Sequence, residues 1–204
     1  MNADIEERDF FKETYSETEL KKIIKMTGKK PTELIRKRAL MRFQTLAEWL
    51  SWQEGLHPSE IDLGLDRVRA VLCELGHQQL SCPVISVAGT NGKGSSVAML
   101  EAIYLSAGYR VGAFTSPHLL SYNERVRLNG EPVSDQLLCD AFERIDQVRG
   151  ETSLTYYEVG TLAAIEIFAH ANLDVATIEA GVGGLLDEAN VLDAALALIH
   201  PLAR

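Results

Sequence analysis

The chain has 204 residues, 46% of them hydrophobic and 24% charged, with a formal net charge of −9. That length allows one sizeable domain, or one domain with an appendage, and that balance excludes a disordered chain. The acidic charge argues against a general nucleic-acid binder; no apolar run approaches the roughly 18–20 residues that span a bilayer; and the polar start MNADIEERDF is no secretory signal, so the cytoplasm is the expected compartment.

Residues 1–40 hold 10 Lys+Arg against 8 Asp+Glu, whereas the remaining 164 hold 10 against 21 and carry 14 of the 15 glycines. This shift predicts a boundary near Met41, with a helical appendage over residues 1–40 and the main domain over 41–204. Within the appendage, Ser16 and Glu19 form a capping-box pattern, Leu20, Ile23 and Ile24 share one helical face, Gly28 ends that helix, and Pro31 opens the next. In the main domain, helices are predicted from Leu46 to Trp52 and from Leu65 to Leu75, the second stopped by Gly76. Strand and helix then alternate. Val84 to Ala88 reads as a buried strand, Ser95 to Ala107 as a helix closed by Gly108, and Arg110 to Thr115 as a second strand. Asp135 to Val148 and Glu158 to Ala171 read as helices, and Asp174 to Glu179 and Ala195 to Ile199 as further strands. The alternation predicts an α/β fold with a parallel sheet flanked by helices on both faces. Cys73, Cys82 and Cys139 are scattered and form no C-x-x-C pair, so they read as buried or incidental thiols.

Between the first of these strands and its helix lies Gly89-Thr90-Asn91-Gly92-Lys93-Gly94-Ser95. Glycines let backbone N–H groups approach phosphate oxygens, the helix N-terminus adds partial positive charge, and Lys93 supplies a point charge for β- and γ-phosphates. The loop departs from G-x-x-x-x-G-K-[ST], because Val87 stands at the first glycine position and Gly94 separates the lysine from Ser95. Strand, loop, lysine and helix together predict a nucleotide site, with ATP as the expected nucleotide.

The run VAGTNGKGSS resembles the ATP loop of the folylpolyglutamate synthase/dihydrofolate synthase family, a branch of the Mur ligase superfamily. Other segments fit in order: His57-Pro58 with Ile61 to Val68, Thr115-Ser116-Pro117-His118-Leu119, Asn123-Glu124-Arg125-Val126, Leu154 to Glu158 (against the family's LTYFE), and Glu179 to Asp187 (against EVGLGGRLD). The resemblance covers about Met41 onward and implies a P-loop domain of the Mur ligase central type. It implies that ATP activates a carboxylate of dihydropteroate or folate as an acyl phosphate and that L-glutamate attacks it, with Mg²⁺ as the metal. By the same resemblance Lys93 is the catalytic lysine, Gly89 to Ser95 hold the nucleotide, Ser116 and Glu179 are metal ligands, and Asp62, Thr155, Tyr156, Tyr157, Glu158, Leu186, Asp187 and Glu188 line the pterin side. The implied protein is a monomer with no nucleic-acid or membrane partner.

Several alternatives stay open. Ser116 before Pro117 reads also as a turn residue, and Tyr156 and Tyr157 read also as core aromatics. Glu179 ends an apolar strand, where a carboxylate is costly unless paired or metal-bound and where open α/β sheets place ligands. His57 and His118 carry no assignment. Leu185 stands where the family has arginine, Ala180 where it has valine, and Glu188-Ala189-Asn190 where it reads A-T-N. The family sequence continues past the position of Arg204 to an aspartate–histidine pair, and His200 falls too early to be that histidine; it reads as a strand-end residue. The expectation is therefore a poorly active or inactive chain. A cell-wall peptide ligase of the Mur type and a non-catalytic nucleotide-binding fragment are the competing readings. Residues Ile5 to Glu13 and Pro31 to Arg38 separately resemble an arsenate reductase-like, thioredoxin-fold fragment. No cysteine precedes Cys73, so no redox activity is expected of it.

Overall fold

A computed structural model of the chain describes residues 41–59, 62, 64–181 and 191–201. The chain divides into two compact units, Met1–Gln44 and Thr45–Arg204. The helices and the redox-type resemblance expected before residue 41 lie outside the described residues, as do Leu185 to Glu188.

The second unit runs α1 (Leu46–Glu54), α2 (Asp66–Leu75), β1 (Val84–Ala88), α3 (Lys93–Ser106), β2 (Val111–Phe114), a 3₁₀ turn (Tyr122–Arg125), β3 (Val126–Leu128), β4 (Glu131–Pro132), α4 (Asp135–Arg149), α5 (Tyr156–His170), β5 (Val175–Glu179) and β6 (Leu196–Ile199). Its sheet has the order β4-β3-β2-β5-β1-β6. Strands β2, β5, β1 and β6 are parallel, in line with the alternation in the sequence. The edge hairpin β3–β4 is antiparallel and makes the sheet mixed. Its turn is Asn129-Gly130, both at positive φ (54° and 85°). That conformation fits an N-G hairpin turn, a local signal that the alternation argument passes over because the two strands have only three and two residues.

Local chemistry sets the helix ends. Thr45 and Glu48 form a capping box at α1, and Thr155 and Glu158 form one at α5. The second box starts α5 at Tyr156, two residues before the sequence expectation. Gly76 closes α2 in the left-handed conformation, and Gly92, at φ 82°, opens α3 at Lys93.

Side chains alternate across a strand, and β2 shows what each face meets. Val111 and Ala113 pack with Ile85, Val87, Val175, Val97 and Leu100, so α3 covers that face. Gly112 and Phe114 meet α5 on the other. A Cβ at Gly112 would stand 2.9 Å from Phe168 and 2.5 Å from Leu173, so only glycine admits the helix this closely. Helix α5 is buried nearly all round, as befits an element between a sheet and a further helical layer. That layer centres on Trp49 and Phe142, both fully buried. Trp49 lies 6.1 Å from Phe142 and edge-on to Trp52 at 5.3 Å, and Phe142 meets Tyr122 at 5.9 Å.

At the opposite end of the sheet from the glycine-rich loop, Arg110 donates from its main-chain N–H and its guanidinium to Asp174, tying the start of β2 to that of β5. The guanidinium holds the Asp174 carboxyl down to about 2. Because this value is depressed on folding, the contribution is present at neutral pH and is lost as pH falls from about 4 towards 2.

Truncating Phe142 to alanine removes the ring shared by Trp49 and Tyr122. Unfolding stability in urea is expected to fall by about 3–5 kcal/mol; a midpoint unchanged from the parent would mean that the helical layer is not one packed core.

Candidate functional site

Strand β1 ends at Ala88 and the chain turns through Gly89, at φ 137°, into Gly92 and Lys93. Residues Thr90, Asn91, Gly94 and Ser95 complete the turn and the first helical residues. Lys93 folds back, its Nζ donating to the Gly89 carbonyl at 2.8 Å. The base of the loop is held by the residue after β6: the His200 N–H donates to the Ala88 carbonyl at 2.8 Å, and its Nε2 shares a 2.7 Å hydrogen bond with Ser96 Oγ. A Cβ on Gly89 would come within 2.5 Å of the His200 Cβ, so glycine is required there by contact as well as by φ. His200 thus follows a strand, as its sequence context predicts. Its contact with the loop has no sequence signal, because 104 residues separate it from Ser96.

The parallel pairing of β1 with β5 sets Val87 opposite Glu179. Glu179 is only 5% exposed. Its Oε1 lies 3.9 Å from Lys93 Nζ, its Oε2 accepts from the Ser116 N–H at 3.3 Å, and the carboxylate rests against Gly94. Ser116 comes from the segment after β2, the other neighbour of β5. Lys93, Ser116 and Glu179 are therefore brought together by three adjacent strand ends. A cavity of about 370 Å³ opens beside them, lined by Gly94, Thr115, Ser116, Glu124, Arg127 and Glu179 among others. A carboxylate that is buried yet faces such a cavity, with a serine beside it, is an oxygen donor set suited to a hard divalent cation.

One wall of the cavity is a charge lattice that sequence reading passes over. Arg127 pairs with Glu101 at 3.0 Å and donates to Thr115 Oγ1 and the Glu124 carbonyl. Glu124 in turn accepts N–H bonds from Leu119, Leu120 and Ser121. These donors, that of Leu119 foremost, hold its carboxyl below the ordinary range. Arg125 donates to His118 Nδ1 at 2.9 Å and lies over the rings of Tyr122 and Tyr156. Burial pushes both phenols up, that of Tyr122 strongly.

The expected pterin-side residues fall into two groups. Asp62 and Glu158 share one arginine, Arg67. Its guanidinium meets Asp62 Oδ2 at 2.8 Å and Glu158 Oε1 at 2.9 Å and donates to the Asp62 carbonyl at 2.7 Å. Glu158 is fully buried and accepts the Thr155 N–H at 2.7 Å, so Thr155 and Glu158 have a capping task whatever else they do. Tyr156 is half-buried under Arg125. Tyr157 reaches the other way: its hydroxyl donates to the Glu179 carbonyl at 3.1 Å, linking α5 to the end of β5. Leu186, Asp187 and Glu188 lie outside the described residues. Arg67 stands in the segment Ile61 to Val68, but its role as a bridge between Asp62 and a glutamate 91 residues away is a tertiary fact.

No protein-family profile matches the chain. Individual relatives do. The dihydrofolate synthase/folylpolyglutamate synthase of Escherichia coli (strain K12) is 45% identical over 170 residues, which are 83% of this chain and 40% of that protein. The solved structure of E. coli FolC in complex with DHPP and ADP matches at a TM-score of 0.75 and 47% identity, covering 76% of this chain and 37% of that one. This chain is a partial homologue of the dihydrofolate synthase/folylpolyglutamate synthases. It spans about 40% of the length of the curated relative it matches, and its mixed six-stranded sheet flanked by helices is of their Mur ligase type. A bifunctional folylpolyglutamate synthase/dihydrofolate synthase with Mn, AMPPNP and L-glutamate bound matches at a TM-score of 0.72 and 46% identity, over 76% of this chain and 37% of that structure. Among the described residues no helix is long and apolar enough to cross a membrane.

Replacing Arg67 by methionine leaves the Glu158 charge buried without its guanidinium. The expected loss of stability in urea is about 3–5 kcal/mol, and adding Glu158→Gln should return part of it. A single variant as stable as the parent would mean that the capping bonds alone satisfy Glu158.

Proposed function

We propose that residues 41–204 form the ATP-loop part of a cytoplasmic, ATP-dependent ligase that joins L-glutamate to dihydropteroate or folate, and that residues 1–40 are an appendage of separate origin. The observation that carries the reading is the meeting of Lys93, Ser116 and Glu179 beside one cavity, in a segment 45% identical to a dihydrofolate synthase/folylpolyglutamate synthase.

In this reading the N–H groups from Gly89 to Ser95 cradle the nucleotide phosphates at the N-terminus of α3. Lys93 leaves the Gly89 carbonyl for the β- and γ-phosphates and offsets charge as the phosphoryl group passes to a substrate carboxylate oxygen and ADP departs. The amine of L-glutamate then attacks the acyl carbon, and phosphate leaves. Ser116 and Glu179 hold Mg²⁺, which when bound supplies further charge neutralisation at the phosphates. On the pterin side, Arg67 fixes the Asp62 and Glu158 carboxylates, while Tyr156 offers a ring face and Tyr157 braces the end of β5; the family resemblance adds Leu186, Asp187 and Glu188 to this set. Ordering Glu124 and Arg127 through backbone bonds keeps the cavity wall set before substrate arrives.

A second reading, nucleotide binding without turnover, draws on Leu185, which stands where the family carries an arginine and so lacks that side chain's five donors. Both readings share the nucleotide loop.

The chain is expected to bind an ATP analogue weakly and to release ADP negligibly when given dihydropteroate and glutamate. Lys93→Ala should weaken nucleotide binding by about 1.5–3 kcal/mol, roughly tenfold to a hundredfold. Calorimetry reads the first effect and a coupled ADP assay the second. Equal affinity in parent and variant would remove the nucleotide loop from the proposal. Turnover with a UDP-muramyl substrate in place of dihydropteroate would move the chain to the cell-wall ligases.

A further inference from the structure

Away from the phosphate loop, at the far end of α5, three side chains converge that the ligase reading does not use. Glu166 and His170 lie four residues apart on the last turns of α5 and so share one face. His77 comes from the residue after Gly76, the left-handed cap of α2. One donor atom from each of the three lies within 4.8 Å of the other two, and among the described residues this is the group of histidine, cysteine and carboxylate side chains that meets that spacing.

The three side chains lie close around the Glu166 carboxylate. His77 Nε2 approaches Glu166 Oε2 to 3.0 Å. That oxygen is buried, and no hydrogen bond closes on it despite the short distance, so the imidazole N–H axis does not run along the contact. On the other side His170 Nδ1 is 3.7 Å from Glu166 Oε1 and 2.9 Å from the Glu166 main-chain carbonyl. The two imidazoles meet edge to face at 5.2 Å. A carboxylate between two imidazoles, with one oxygen sealed from water and lacking a hydrogen bond, is costly as an empty polar pocket. As ligands for one cation, the same three groups are all satisfied.

We propose that His77, Glu166 and His170 form a binding site for a divalent transition metal, with zinc the expected ion. Two imidazole nitrogens and one carboxylate oxygen are a donor set that zinc takes in tetrahedral sites, with the fourth position left to water. Magnesium, which prefers an octahedron of oxygens, is not favoured by two nitrogens. Zinc–ligand bonds of about 2.0–2.2 Å bring ligand atoms of a tetrahedron to within roughly 3.3–3.6 Å of one another. His170 is the group that must move, and it is 67% exposed at a helix end, whereas His77 and Glu166 are largely enclosed. The exposed ring also leaves an entry path. Bound metal would cross-link the end of α2 to the end of α5. Helix α5 begins at Tyr156, beside the end of β5, and His170 lies 14 residues further on. At 1.5 Å per residue the cluster lies about 20 Å along α5 from the helix start, whose Tyr157 touches the Glu179 end of β5. It is therefore independent of the ligase reading.

The test titrates the 204-residue chain with ZnCl₂ by calorimetry in excess Mg²⁺, which occupies any hard-oxygen site, and repeats the titration with Co²⁺ followed by visible absorption. One zinc per chain is expected, with a tetrahedral cobalt spectrum lacking thiolate charge transfer and a rise in Tm on adding zinc. His170→Gln, at an exposed helix end, should keep the parent's circular dichroism and weaken zinc binding by about 100-fold; His77→Gln should do the same to binding and abolish the rise in Tm. Zinc affinity unchanged in the His77→Gln/His170→Gln double variant, a thiolate band in the cobalt spectrum, or no zinc binding by the parent would each overturn the proposal.

Discussion

A nearly buried carboxylate at the edge of a cavity organises the site. Glu179 ends the strand that lies between β1 and β2, so its neighbours on either side are the two other segments of the candidate site. From β1 comes the glycine-rich loop with Lys93, and from β2 comes Ser116. Burying such a charge costs several kcal/mol unless it is compensated. Lys93 at 3.9 Å and the Ser116 N–H at 3.3 Å are among the groups that compensate it. The sheet order is what makes this possible, because only a strand inserted between β1 and β2 can present one side chain to both.

The rest of the molecule holds that strand end in place. Tyr157 binds the Glu179 carbonyl from α5, and α5 is positioned by Gly112 beneath Phe168 and by the helical layer around Trp49 and Phe142. At its N-terminus the Thr155–Glu158 cap is coupled through Arg67 to Asp62. The capping box and the ion pair use the same buried carboxylate, so the start of α5 and its link to Asp62 are one construction. His200 does the equivalent for the phosphate loop, closing its base from β6.

Much of this is legible in the residues. Alternating apolar runs and amphipathic stretches locate the strands and helices of the second unit, and Gly89 to Ser95 reads as an anion cradle before any comparison. Two local signals are present in the residues and lie outside the periodicity: Asn129-Gly130, which makes the antiparallel hairpin, and Thr155-x-x-Glu158, which starts α5 earlier than periodicity suggests. The arginines were not legible. Arg67, Arg125 and Arg127 each act on groups from other elements, and an arginine in a sequence does not say which carboxylate or ring it will meet. The cluster at the end of α5 divides the same way: Glu166 and His170 share a helical face by spacing alone, while His77 joins them only because α2 packs against α5.

The sequence by itself determined the α/β alternation, the glycine-rich turn between β1 and α3 and the chemical identity of the residues set out for the site, because these follow from local periodicity, glycine placement and side-chain type. The tertiary structure alone decided that β5 lies between β1 and β2, that Ser116 and Glu179 line one cavity with Lys93 beside Glu179, and that Arg67 serves two carboxylates. Those outcomes depend on strand order and helix packing, which are settled by burial of apolar faces over the whole domain and leave no mark in any short stretch of residues.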